Sequence, residues 1–355
     1  MIMDFSLASM LPIAWYVILV VAVFVYSLGD GFDLGLSTIY FISRADDERR
    51  TLLNSIGPVW DGNEVWLIII FGGLFAGFPP AYGALLSIFY MPIWTLVLLY
   101  IFRGCSLEFR GKAESKKWKA FWDIVFCISG IAISFFLGVL VGNMILGLPI
   151  SPTTPYSSLS WVLFFRPYTL LCGALVVSAF AIHGATFILM KTTGELQQRI
   201  IKRFSYVLSA FLVIYLLLIG ATLAMIPQTK GFSFQVGSFA GVPTYPVLIL
   251  LLAMTLGSCL ATKTCVSRKR YGCAFLYSSL NLLLLILSTV TLIFPNILFS
   301  TVDPEHSYTI YNTAASAKTL QSLLVIVLVG LPLIIAYGVY IYRVFRGKTD
   351  FPSVY

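Results

Sequence analysis

Long apolar runs, interrupted at short intervals by clusters of charge, set the pattern of this chain. They place helices near 11–40, 58–78, 80–102, 122–145, 162–190, 204–226, 245–262, 272–294 and 319–342. A helix needs roughly 20 apolar residues to cross a bilayer, and these runs supply about that or more. They are too continuously hydrophobic for outer-membrane strands, which alternate over about 10 residues. The pattern predicts an all-α integral membrane protein of about nine transmembrane helices, a single polytopic domain over 1–355. The first run has a polar interruption at Gly29-Asp30-Gly31, so its lower part is expected to be kinked or half-buried. No connection is long enough for an independent domain.

Composition agrees with this pattern. Only 11% of the 355 residues are charged and 59% are hydrophobic, whereas soluble domains carry about 25% charged residues. A water-soluble enzyme is excluded. The net charge of +8 does not point to nucleic acid, because the basic residues flank the apolar runs. Of the 23 Lys and Arg residues, 20 fall on one set of alternating ends and connections and 3 on the other. The positive-inside rule makes the richer side cytoplasmic. The N-terminus is then periplasmic and the C-terminus cytoplasmic, as an odd number of spans requires. Met1 to Met10 lacks a basic leader region, so the first run is expected to be a retained helix. The six cysteines form no CxxC pair and read as small apolar helix residues or idle thiols.

Four acids stand where charge is expensive: Asp30, Asp33, Asp61 and Glu64. A charge at the centre of a span costs at least about 2.5–3.5 kcal/mol. Asp30 and Asp33 are three apart and share a helix face; Asp61 and Glu64 repeat the spacing within Trp60-Asp61-Gly62-Asn63-Glu64-Val65-Trp66. Both pairs are expected in the cytoplasmic half. One reading makes them helix caps paired with Arg44, Arg49 or Arg50. The other makes them a route for protons or cations, since desolvation raises a carboxylate toward the neutral range that a relay needs. The readings are compatible. A third cluster, Arg103 to Lys112, reads on its own as a solvated helix end, with Glu108 and Lys112 in the favourable order for a helical pair.

The chain has two histidines, His183 within the fifth run and His306 in an external connection. They cannot both ligate one haem inside the membrane, and His183 is expected to be a hydrogen-bonded structural residue. No metal cluster is expected, and P-loop, GxSxG and HExxH patterns are absent. No hydrolase or nucleotide-driven pump is indicated.

Several blocks carry a resemblance. Gly29-Asp30-Gly31-Phe32-Asp33-Leu34-Gly35, Arg49-Arg50, and Asn54-Ser55-Ile56-Gly57-Pro58-Val59 running into the Trp60–Trp66 block resemble subunit II of cytochrome bd-type quinol oxidases, cyanide-insensitive variants included. So do Gly72-Gly73-Leu74-Phe75-Ala76-Gly77-Phe78-Pro79, Tyr90, Arg103-Gly104, Glu108-Phe109-Arg110, Gly184-Ala185-Thr186 and Lys191 to Leu196. These matches fall within the first 200 residues; beyond them only the nine-helix layout agrees.

The resemblance implies a haem-free partner of a subunit I that binds two haem b and one haem d, oxidises quinol and reduces O2 to water. The complex would build a proton gradient in the bacterial cytoplasmic (inner) membrane, surrounded by lipid. Its cytoplasmic proton route carries over onto Asp61 as a buried relay, with Glu108 and Lys112 nearer the surface and Asp30 and Asp33 close by. Trp60 and Trp66 would pack around it or border an oxygen path. Relatives carry a neutral amide at position 64 as well as an acid. Any quinone on this chain would be structural. Two alternatives belong to other classes: a secondary transporter with a broken first helix and acidic coupling-ion sites, and a scaffold whose acids only cap helices and pair with a partner.

Overall fold

The computed structural model describes residues 7–151, 161–225, 238–239 and 242–349. They form the helices α1 (Leu7–Ile39), α2 (Asp46–Ile56), α3 (Trp60–Gly77), α4 (Pro79–Ile88), α5 (Tyr90–Phe109) and α6 (Lys116–Leu146). Then follow α7 (Pro167–Lys191), α8 (Gly194–Met225), α9 (Thr244–Ser267), α10 (Tyr271–Ile293) and α11 (Ala317–Val344). Among the described residues eight helices are long and apolar enough to cross a bilayer, nine where α2 and α3, bent by 46°, are counted as one span. The chain alternates between two ends of the bundle. One end gathers the basic residues; the other carries a small antiparallel pairing of β3 (Asn296–Leu298) with β4 (Tyr308–Thr309). A second short pair joins β1 (Ser238–Phe239) to β2 (Val242–Pro243).

Two features refine the sequence pattern. α1 continues as one helix through Gly29, Asp30 and Gly31, and its lower part is buried. Its glycines serve close packing. A Cβ on Gly29 would lie 2.8 Å from the Asn63 side chain, and one on Gly35 would lie 1.8 Å from the Phe180 carbonyl oxygen. At Gly35, α1 and α7 therefore meet backbone to backbone, as small residues allow in membranes, while at Gly29 the Asn63 side chain fills the space. The run near 80–102 is divided at Phe89 into α4 and α5. Pro92 lies in the first turn of α5, where a proline costs no hydrogen bond.

Burial grades outward from α7. Its most apolar stretch is 78% buried, against 44% for α1 and α6 and 0% for α11. The largest apolar core joins Phe32, Leu34 and Leu36 of α1 to Phe180, Phe187 and Ile188 of α7 and Phe126 and Ile133 of α6. At the far end, Trp15 donates its indole N–H to the Leu320 carbonyl at 3.0 Å, and Ala315 N–H to Gly77 O at 2.8 Å. These bonds tie the start of α11 to α1 and α3.

Candidate functional site: carboxylates on two faces of one bundle

Asp30 and Asp33 of α1 are fully buried, and so is Arg103 of α5. The Arg103 Nη2 lies 2.6 Å from Asp30 Oδ1 and 3.8 Å from Asp33 Oδ2. The side chain read as part of a solvated helix end is thus the counter-charge of the α1 pair. The arginines expected there pair elsewhere: Arg49 with Asp123 at 2.8 Å and Arg50 with Asp46 at 3.2 Å.

Asn63 of α3 completes the cluster. Its Nδ2 donates to Asp33 Oδ2 at 2.8 Å, and its Oδ1 accepts from the Tyr342 hydroxyl of α11 at 2.7 Å. The tyrosine bond fixes the amide so that its N–H face is turned to the carboxylate. One turn along α1 from Asp30, Tyr26 shares a short hydroxyl–hydroxyl bond with Tyr100 of α5. A polar stripe at positions 26, 30 and 33 of α1 therefore runs between α3 and α5.

The α3 acids differ. Asp61 is exposed on the isolated chain and sits in the first turn of α3. There the helix dipole favours a negative charge. Glu64 is half-buried and faces the charges of Arg103, Asp30 and Asp61. Glu108 lies near the end of α5 and Lys112 just beyond, both exposed. The α-helix stops at Phe109 and tightens over Arg110–Lys112, and among the described residues neither forms an ion pair. The expected Glu108–Lys112 pair is not made. Trp60 lies across Gly104, about 3.5 Å from where its Cβ would stand, and Trp66 is half-buried on the same helix as Asp61.

A second cluster went unread in the sequence. Asp123, 1% exposed, accepts from the Tyr40 hydroxyl at 2.6 Å, Arg49 at 2.8 Å and Arg110 Nε at 2.5 Å. Arg110 also donates to Asp46 at 2.7 Å. Position 123 opens a predicted span, where an acid looks inexpensive. The available signal was its place in the apolar run Phe121-Trp122-Asp123-Ile124-Val125. Two cations, Arg49 and Arg110, and two acids, Asp46 and Asp123, from α2, the turn at 110–112 and α6 are joined there, fastening the basic end.

His183 is fully buried. Its Nε2 lies 3.0 Å from the Leu28 carbonyl, which can only accept, so Nε2 carries a proton, and Nδ1 lies 2.9 Å from the Ser278 hydroxyl. Its ring stacks on Phe275. With both nitrogens committed, the ring does not fit as an axial haem ligand. No group of three His, Cys, Asp or Glu able to hold a metal occurs among the described residues.

Comparison with known proteins places these residues in context. The profile of the family described as cytochrome bd terminal oxidase subunit II matches residues 11–345. The chain is 28% identical to a cytochrome bd-I ubiquinol oxidase subunit 2 of Escherichia coli K12, covering 96% of this chain and 95% of that one. It is 28% identical to a cytochrome bd ubiquinol oxidase subunit 2 of Bacillus subtilis 168 (95% and 96% covered). A probable cytochrome oxidase subunit 2 of Haemophilus influenzae is 27% identical (95% and 94%). In fold, the chain resembles one from the bd oxidase of Geobacillus thermodenitrificans, with a TM-score of 0.74 at 18% identity, covering 94% and 98%.

Proposed function

Because the chain belongs to the subunit II family of cytochrome bd terminal oxidases, we propose that its exposed acids carry protons toward a haem-bearing partner. The chain is a multi-pass protein of the bacterial cytoplasmic membrane and part of a quinol oxidase, an oxidoreductase complex. Haem belongs to the complex, and His183 gives no ligand for it here. The two b haems and one d haem are assigned to subunit I, which supplies the electron chemistry of quinol oxidation and O2 reduction when they are bound.

The observation that carries the proton reading is the exposure of Asp61 and Glu108 on apolar helices. On α3 the outward stripe runs Asp61, Val65, Ile68 and Phe75; on α5 it runs Trp94, Leu98, Ile101 and Glu108. Carboxylates on otherwise lipid-like faces are costly in contact with acyl chains. A partner surface covering these stripes removes that cost and encloses the two acids at the seam. With the basic end cytoplasmic, by the positive-inside rule, both acids stand near the water from which O2 reduction draws its protons. Lys112 stands at the outermost position, and Trp60 and Trp66 border Asp61 and Glu64. Glu64 lies between this seam and the enclosed α1 pair.

Asp61→Asn tests the reading in the purified complex. It is expected to slow O2 reduction while the visible haem spectrum and the amount of co-purifying partner stay at parent levels. Parent-like turnover would leave Asp61 with a purely structural role. The broken-helix transporter has lost its motivating feature, since α1 is continuous.

A further inference from the structure

The enclosed cluster holds more acid than base. Asp30 and Asp33 are both fully buried, and among the described residues Arg103 is the only cation within salt-bridge distance of either. The same guanidinium also faces Glu64. The other groups around the pair add no positive charge. On α1 and α5 these are the Tyr26 and Tyr100 hydroxyls; on α3, the Asn63 amide and the acids Asp61 and Glu64. From α7 comes His183, fully buried with only the neutral Leu28 carbonyl and Ser278 hydroxyl as partners, which disfavours a charged ring, and from α11 the Tyr342 hydroxyl. One cation supports one buried carboxylate. A second, without its own counter-charge in such surroundings, takes up a proton.

Geometry distinguishes the two carboxyls. Asp30 is 2.6 Å from the guanidinium, which favours its ionised form. Asp33 stands 3.8 Å away and is bonded through Oδ2 to a neutral amide. Asp33 Oδ1, like both Asp30 oxygens, is buried with no hydrogen-bond donor among the described residues, so the nearness of the guanidinium to Asp30 decides which carboxyl bears the charge.

We propose that Asp30 and Asp33 hold a single proton between them in the folded subunit, carried by Asp33, with Asp30 ionised against Arg103. The pair is then a one-proton store beside the half-buried Glu64. Only its use during turnover rests on the proton-route reading above; its charge state does not.

The test uses the intact complex with Asp33→Asn and Asp30→Asn, reading abundance, thermal stability and infrared absorption. Asp33→Asn replaces a neutral acid by its neutral isostere. It is expected to assemble at parent abundance with an unchanged Tm. It should also lose a protonated-carboxyl C=O band that, in the parent, shifts in D2O. Asp30→Asn leaves Arg103 without its ionised partner and is expected to lower Tm sharply or abolish assembly. Equal tolerance of both variants, loss of the Asp33→Asn complex, or survival of the band in assembled Asp33→Asn would each overturn the proposal. These readouts do not depend on turnover, so normal oxidase activity in Asp61→Asn would defeat the proton route and leave this charge state intact.

Discussion

Asp30 with Asp33 on α1, and Asp61 with Glu64 on α3, share the same three-residue spacing and stand in opposite surroundings. The α1 pair is sealed on all sides and tied to Arg103 and Asn63. The α3 pair opens outward, with Asp61 exposed and Glu64 half-buried. The difference comes from the helices rather than the acids. Gly29 and Gly35 bring α3 and α7 against α1, so every face of α1 near its acids is covered. On α3 the Asp61 face looks away from the bundle: a Cβ at Gly62 beside it, or at Gly72 about three turns on, would meet no neighbour within 4 Å. Identical spacing thus yields two settings: enclosed acids held by a counter-charge, and acids that open outward, for which we propose proton exchange.

The largest way to break this contrast is Arg103→Gln. Removing one partner of a buried ion pair costs about 3–5 kcal/mol, and here both enclosed aspartates would have to be neutral. We expect a large fall in the Tm of the complex and in its yield. A variant as stable as the parent would mean that the sealed pair is no more constrained than Asp61. A smaller effect sharpens the picture at its edge. Tyr342→Phe removes the hydroxyl that orients Asn63, and one hydrogen bond of this kind is worth roughly 0.5–1.5 kcal/mol. A modest fall in Tm without loss of assembly is expected.

The smallest effect concerns pH at the basic end. Burial pushes Asp46 up, but the bond and charge of Arg110, with Lys119 and Arg50, outweigh it and hold the group below its ordinary value. Glu48 is likewise raised by burial and lowered further by the Arg44 N–H and Arg199. Depressed carboxylates stabilise the fold above their unfolded values, around 4. That stability is lost as pH falls through the lower folded values, because the unfolded chain binds the protons first. Asp46 is 41% exposed, so screening keeps the effect small. Asp46→Asn should flatten the acid limb of a Tm-against-pH curve slightly and leave neutral stability nearly unchanged.

Much of the fold was legible because apolar runs and alternating basic ends respond to the bilayer itself. The split at Phe89 was not, since α4 and α5 are one apolar run and only Pro92 marks a helix start. At the site, the identities of Asp30, Asp33, Asp61 and Glu64 were readable from the cost of charge in a span. Their surroundings were not. Arg103 lies among Cys105, Glu108 and Arg110 in a stretch that reads as a solvated terminus, and its burial is decided by α1, some 70 residues earlier. The same holds for Asp123, whose partners Tyr40, Arg49 and Arg110 come from three other segments. Spacing along one helix gives the face a residue occupies; what covers that face is a tertiary fact.

The division of labour between sealed and outward acids is tested most directly by proton uptake during a single round of O2 reduction. The experiment compares the parent complex with Asp61→Asn at matched haem content. The account predicts that proton uptake and O2 reduction slow together in the variant, by roughly a hundredfold, the lower end of what a positioned proton-transfer group contributes. Uptake at the parent rate, in a variant with an unchanged haem spectrum, would contradict it.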